Sequence, residues 1–272
     1  MEGKIGIFDS GYGGLTVFKE IKHQLPQYDY IYFGDNARAP YGNRSFETVY
    51  EYTLQCVKKL FDLNCNLIIL ACNTASAKAL RTIQQKDLSL IAPNKRVLGI
   101  IRPTTEIIGN FSKTKHIAIL ATHGTVQSKS YEIEIQKFFP KVNIYQEACP
   151  MWVPLVEYNE HLSDGADYFV KQHINNVMQH DKNIDTILLA CTHYPLLIPK
   201  IKQYVPTNVQ IISQGDIVAK SLSDYLNRHP EIESELSKNQ SIKFYTTDDS
   251  DWFSVQARLF WDITINAEKI EL

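Results

Sequence analysis

LIILACNTAS at residues 67–76 and TILLACTHYP at residues 186–195 share one plan: an apolar run, then Ala-Cys, then a small polar residue. Their cysteines, Cys72 and Cys191, lie 191 − 72 = 119 residues apart. Continuous apolar runs are how strands read when helices cover both faces of a parallel sheet. Similar runs predict further strands at 4–8, 30–33, 97–101, 116–121, 142–146, 209–212 and 242–245, besides those at 67–71 and 186–190. Helical patterns fall between them, at 45–61, 74–85, 128–138 and 165–179. This βαβα order predicts doubly wound parallel sheets with right-handed crossovers and ligands at the carboxyl ends of the strands. IGIFDSGYGG at 5–14 is repeated as IAILATHGTV at 117–126, an offset of 117 − 5 = 112. Two such close offsets point to a duplicated unit with small insertions. The predicted fold is therefore α/β, with two similar doubly wound domains whose parallel sheets face each other across a central cleft.

Composition narrows the function. The chain has 272 residues, 44% of them hydrophobic, which supports a sizeable core. Its formal net charge is −2 and it has no run of Lys or Arg, so no nucleic-acid partner is expected. The N-terminus lacks an apolar signal region, and no apolar stretch reaches the roughly 20 residues of a membrane helix. Five widely spaced cysteines without a C-x-x-C argue against a disulfide framework and for a cytoplasmic protein. The polar region 227–241 reads as an exposed helix–loop, whereas FYTTDDSDWF at 244–253 predicts a packed C-terminus.

A strand tip that becomes a helix start has unpaired N–H groups and the positive end of the helix dipole. Both favour a thiolate and predict lowered cysteine pKa values. Cys72 is followed by Asn73 and Thr74, and Cys191 by Thr192 and His193, all able to hydrogen-bond a small polar ligand. A lone cysteine ending a strand is usually a small buried hydrophobe, and that reading is kept for Cys56, Cys65 and Cys149. Twin cysteines on twin units can instead converge on one carbon from opposite faces, as stereo-inversion by proton transfer requires. A cysteine-nucleophile hydrolase needs one cysteine and a base, a binding module needs neither thiol, and a structural zinc site wants ligands at short spacings that are absent here. Asp9, in DSG at 9–11, reads either as a helix cap or as a carboxylate assisting the Cys72 thiol. His193 is placed to do the same for Cys191, with Glu157 of VPLVE as its orienting partner. GYGG at 11–14 reads as a turn that lets backbone N–H groups approach a ligand carboxylate.

Taken in order, GIFDSGYGGLTV (6–17), YFGDNARAPYG (32–42), ILACNTASA (69–77), ATHGTVQS (121–128), CPMWVPLVE (149–157) and LLACTHYPLL (188–197) resemble the glutamate racemase family across nearly the whole chain. The resemblance implies an enzyme that interconverts L- and D-glutamate with no cofactor and no metal, supplying D-glutamate for bacterial peptidoglycan. It implies that Cys72 acts on D-glutamate and Cys191 on L-glutamate, with Asp9 assisting Cys72, His193 assisting Cys191, and Glu157 behind His193. Substrate contacts would come from Asp9, Ser10, Tyr41, Gly42, Asn73, Thr74, Thr125, Thr192 and His193. The implied domains are 1–98 plus 210–272, and 99–209, with crossings near Gly99 and Val209. Family members are often dimers, which leaves room for a homodimer. Activation through an N-terminal extension is not expected. Many relatives carry Asp-Ser after the strand that follows C-T-H, where this chain reads IISQGDIVA, with Gln214 and Gly215. That segment is expected to border the site without catalysing. The residues by themselves reach proton transfer at a carbon by two thiols. They do not choose glutamate over aspartate, the substrate of racemases in the same superfamily.

Overall fold

Alternation along the first strand shows how the layers form. In the computed structural model, which describes residues 2–261 and 263–272, Ile5 and Ile7 of β1 (Lys4–Asp9) enter one apolar cluster and Phe8 enters another. Both faces of the strand are thus buried, as a run without polar alternation demands. The same holds for β2 (Tyr30–Gly34) and β3 (Cys65–Leu70), while β4 (Arg96–Gly99) lies at the sheet edge. The chain then crosses to a second sheet made of β5 (His116–Ala121), β6 (Asn143–Ala148), β7 (Thr186–Ala190) and β8 (Gln210–Ile212). It returns to the first sheet with β9 (Ile242–Thr246) and β10 (Ala267–Lys269). The strand orders are β10-β9-β2-β1-β3-β4 and β6-β5-β7-β8, and every pairing is parallel.

The duplication is visible in the register. The order β2-β1-β3-β4 repeats as β6-β5-β7-β8. Phe8 pairs with Leu70 in one half and Leu120 with Leu189 in the other. These are the same rungs, since 8 + 112 = 120 and 70 + 119 = 189. Cys72 and Cys191 each follow two residues later, at equivalent strand tips. One apolar cluster spans both halves, joining Ile5, Ile7 and Ile69 of the first sheet to Leu120 and Leu189 of the second. No helix among the described residues is long and apolar enough to cross a membrane.

The predicted strands are all present, with ends moved by two residues or fewer. The strand predicted at 97–101 stops at Gly99 because Ile101 opens a helix, Ile101–Thr105, and buries there instead of pairing. The helix predicted at 74–85 is broken into Asn73–Lys78 and Leu80–Thr82, then continues through a π turn, Ile83–Asp87, in which Ile83 is buried and Gln84 donates to the Val97 carbonyl. Region 227–241 is the exposed helix–loop expected, with the short helix Pro230–Glu233, and it is anchored to the first sheet. The amides of Gly3 and Ser237 bond to the carbonyls of Glu235 and Gly3, and buried Asp29 accepts from Asn239 and Ser241. Burial opposes ionisation of Asp29, but its hydrogen bonds from Ser237, Asn239 and Ser241 outweigh that and hold it below the usual carboxylate range. The C-terminus is packed, with Phe253, Phe260, Trp261 and Ile265 in the main core.

Helix Phe46–Asp62 starts at Ser45, whose Oγ accepts from the Thr48 amide at 3.1 Å. Replacing Ser45 by Ala is expected to cost about 1 kcal/mol and by Gly only a few tenths. Denaturant titration of the three proteins checks this, and an unchanged stability in Ser45→Ala would show that the cap contributes nothing.

Candidate active site

The two cysteines line one small cavity of about 60 Å³ between the carboxyl ends of the two sheets. Each is 6% exposed, against 0% for Cys56, Cys65 and Cys149. Cys72 is the residue before helix Asn73–Lys78, and its Sγ accepts from the Ala75 amide at 3.4 Å. Ser10 Oγ lies 3.4 Å from the same sulfur. Across the cavity, Cys191 Sγ is 3.9 Å from His193 Nδ1, and His193 Nε2 is 2.9 Å from Glu157 Oε1. The wall is completed by Tyr41, Gly42, Asn73, Thr74 and Thr192. Tyr41 is fixed from behind, where its hydroxyl donates to buried Asp35.

Two of the residues singled out in the sequence sit one layer back. Asp9 is 1% exposed, and its Oδ2 accepts from the Gly11 amide at 2.9 Å. Its Oδ1 has no hydrogen-bond partner among the described residues. Thr125 is fully buried, within hydrogen-bond reach of the hydroxyls of Thr122 and Thr74. The sequence reading passed over Thr122, which does line the cavity. The repeat contained the signal, because 10 + 112 = 122 makes Thr122 the counterpart of Ser10. Pro150, Val153 and Pro154, from the same stretch as Glu157, were also passed over.

The glycine turn at 11–14 has a different purpose from the one expected. The carboxylate that its first N–H serves is the chain's own Asp9. None of its glycines has positive φ, so the requirement is space. A Cβ on Gly13 would stand 2.4 Å from both His193 Nδ1 and Thr192 Oγ1. Bare backbone there lets the start of helix Leu15–Gln24 meet the other half, and Thr16 Oγ1 reaches the Thr192 carbonyl at 2.9 Å.

Helix starts were expected to lower the cysteine pKa values. For Cys72 burial dominates, Asp9 adds to it, and the thiol is pushed up to about 12 despite the opposing hydrogen bonds from Ser10 and Ala75. Asp9 is itself pushed up, chiefly by burial. His193 goes the other way from most buried imidazoles. Burial disfavours its charge, but hydrogen bonds to Cys191 and Glu157 raise it to about 10. A cation therefore stands beside the Cys191 sulfur at neutral pH. Among the described residues no three His, Cys, Asp or Glu side chains are grouped to hold a metal ion.

The model of the Asp/Glu/Hydantoin racemase family matches residues 5–222. The chain belongs to that family. It is 38% identical over 270 residues to the glutamate racemase of Persephonella marina, covering 98% of this chain and 97% of the relative. Its structure is similar to that of glutamate racemase isoform RacE1 from Bacillus anthracis, with TM-score 0.89 and 33% identity over 99% of this chain and 98% of that one. Glutamate racemase from Francisella tularensis in complex with D-glutamate aligns with TM-score 0.87 and 31% identity, again over 99% and 98% of the two chains. The protein is thus an isomerase of the amino-acid racemase type.

Three outcomes are expected of this candidate site. Gly13→Ala is expected to lower racemase activity by about 10²-fold, the scale of a misplacement near 1 Å, while circular dichroism stays native; full activity would show that His193 and Thr192 have room to move. Protonated His193 stabilises the fold fully below its ordinary value of 6.5, and that contribution is lost as pH rises through about 10. Glu157→Gln is expected to bring the His193 titration downward, as read by NMR of labelled imidazole. An unmoved titration would remove Glu157 from its control.

Proposed function

We propose that this enzyme racemises glutamate without a cofactor, by proton transfer between Cys72 and Cys191 on opposite faces of the substrate α-carbon. One observation carries the reading: two cysteines at equivalent strand tips of duplicated halves line a single cavity. In the L-to-D direction the Cys191 thiolate removes the α-proton from one face, and the Cys72 thiol delivers its own proton to the other. The turnover leaves a Cys72 thiolate and a Cys191 thiol, and the D-to-L direction runs the same transfer backwards. Burial favours the protonated form of Cys72, which suits it as the acid. Charged His193 stabilises negative charge on the opposing sulfur, with Glu157 holding the imidazole in place. Asp9 lies one layer behind the cavity as the helper of Cys72, acting on the thiol through its charge.

Among the described residues, none that lines the cavity is Lys or Arg. Substrate carboxylates are assigned to the hydroxyls of Ser10, Thr74, Thr122 and Thr192, to Asn73, and to helix-start N–H groups. Tyr41 and Gly42 shape the adjoining wall. Thr125 acts through Thr122 and Thr74 instead of touching substrate. The chain divides as 1–98 plus 210–272, and 99–209, with the substrate between the two parts. The glutamate racemases it resembles support a cytoplasmic role in supplying D-glutamate for peptidoglycan.

Purified protein incubated with L-glutamate in D₂O is expected to yield D-glutamate carrying deuterium at Cα, while recovered L-glutamate stays largely protiated at early times. Chelator and a carbonyl reagent are expected to leave the rate unchanged. Cys72→Ala and Cys191→Ala should each lose at least the roughly 10²–10⁴-fold that one acid–base group supplies. Original hydrogen carried into product would replace two bases by one. Faster turnover of aspartate would move the substrate assignment.

A further inference from the structure

Gln214 hydrogen-bonds to neither thiol among the described residues, yet its side chain is bonded to both halves of the molecule. It stands between β8 and helix Gly215–Arg228, where the chain leaves the second sheet, and it is 4% exposed. Its Oε1 accepts from Asn73 Nδ2 at 2.9 Å. Its Nε2 donates to Tyr131 Oη at 2.7 Å and to Thr104 Oγ1 at 2.9 Å, with the Ile100 carbonyl at 3.3 Å. Tyr131 Oη in turn donates to Asn73 Oδ1 at 2.5 Å. The result is a closed ring of three buried side chains, in which Asn73 donates to Gln214, Gln214 to Tyr131, and Tyr131 to Asn73. The amide orientation is forced. Turning Gln214 over would set its oxygen against the Ile100 carbonyl and its NH₂ against the NH₂ of Asn73.

Each corner comes from a different part of the fold. Asn73 follows Cys72 and begins the helix whose Ala75 amide bonds the sulfur. Tyr131 lies in helix Ser130–Phe138, packed on the second sheet. Ile100 and Thr104 belong to the first crossing between the sheets, and Gln214 to the second. Buried polar rings of this kind hold a geometry strongly when complete and are costly when one member is removed. We propose that Gln214 is a positioning residue for the racemase reaction: its amide fixes the seating of the two halves and, through Asn73, the placement of Cys72 opposite Cys191.

This inference rests on the two-thiol reading, and the test separates the two. Wild-type, Gln214→Leu, Tyr131→Phe and the double variant are compared for glutamate racemisation, thermal unfolding, and the rate at which iodoacetamide labels Cys72, read by peptide mass mapping. Gln214→Leu is expected to lower kcat/KM by ~10- to 100-fold, the range set by stranding one or two buried polar groups. It should also speed Cys72 labelling while Cys65 stays protected. The double variant should be little worse than Gln214→Leu alone, because both changes open the same ring. A fall in unfolding temperature with unchanged kcat/KM and unchanged Cys72 labelling would mean that Gln214 is structural only and would overturn the proposal. So would strictly additive losses in the double variant. Tyr131→Phe keeps the ring volume and carries the comparison if Gln214→Leu does not fold. A wild-type protein that fails to racemise glutamate overturns the two-thiol reading and this inference together, whereas an active wild type with unaffected variants overturns this inference alone.

Discussion

Parallel pairing of β3 with β1, and of β7 with β5, is the constraint on which the centre of the molecule depends. Side chains alternate along a strand, so a slip of one residue would send each cysteine to the wrong side of its sheet. Close packing of particular side chains in the layers on both faces opposes that slip, since Leu70 and Leu189 are fully buried where they pair. The hydrophobic effect, acting along two strands far apart in sequence, therefore places two thiols at matching strand ends. A second condition brings the ends together. The backbone at Gly13 must lie against His193 and Thr192, and only a residue without a side chain fits there.

Equivalent geometry does not give equivalent electrostatics. The counterpart of Asp9 is Ala121, since 9 + 112 = 121, and the counterpart of Thr74 is His193, since 74 + 119 = 193. Each half places one titratable group near its sulfur, Asp9 on the strand tip in one and His193 at the helix start in the other. Cys72 lies in a field made more negative by Asp9, while Cys191 faces a charged imidazole. Two sulfurs in equivalent positions thus stand in unlike electrostatic surroundings, an acidic neighbour behind one and an imidazole beside the other.

Much of this was legible in the sequence, for reasons that can be named. Apolar runs gave the strands, and two nearly equal offsets gave the duplication and the paired cysteines. Strand β10 was invisible because Ala267–Lys269 is short and polar and forms only by adding to β9. The direction of the Cys72 shift was misjudged because helix starts are local, whereas the burial that outweighs them depends on residues from both halves. Gln214 stood out as a departure from the family pattern, but nothing near it in the chain indicates bonds to residues 73, 100, 104 and 131. Thr122 could have been found by applying the repeat offset to Ser10.

The sulfur of Cys72 serves as the cap of helix Asn73–Lys78. Ser, Thr, Asp and Asn are the residues that satisfy a helix start well, and a thiol is a weak acceptor by comparison. In the two-thiol mechanism proposed above, the seat that the chemistry requires is thus filled by a residue that local folding would not select. Any search for stabilised variants would be drawn to a hydroxyl or a carboxamide at this position, and under that mechanism each gain in melting temperature there would be made at the expense of turnover. A weak helix cap at the tip of β3 is, under that mechanism, a trade-off of the kind common where a reactive group occupies a structural position.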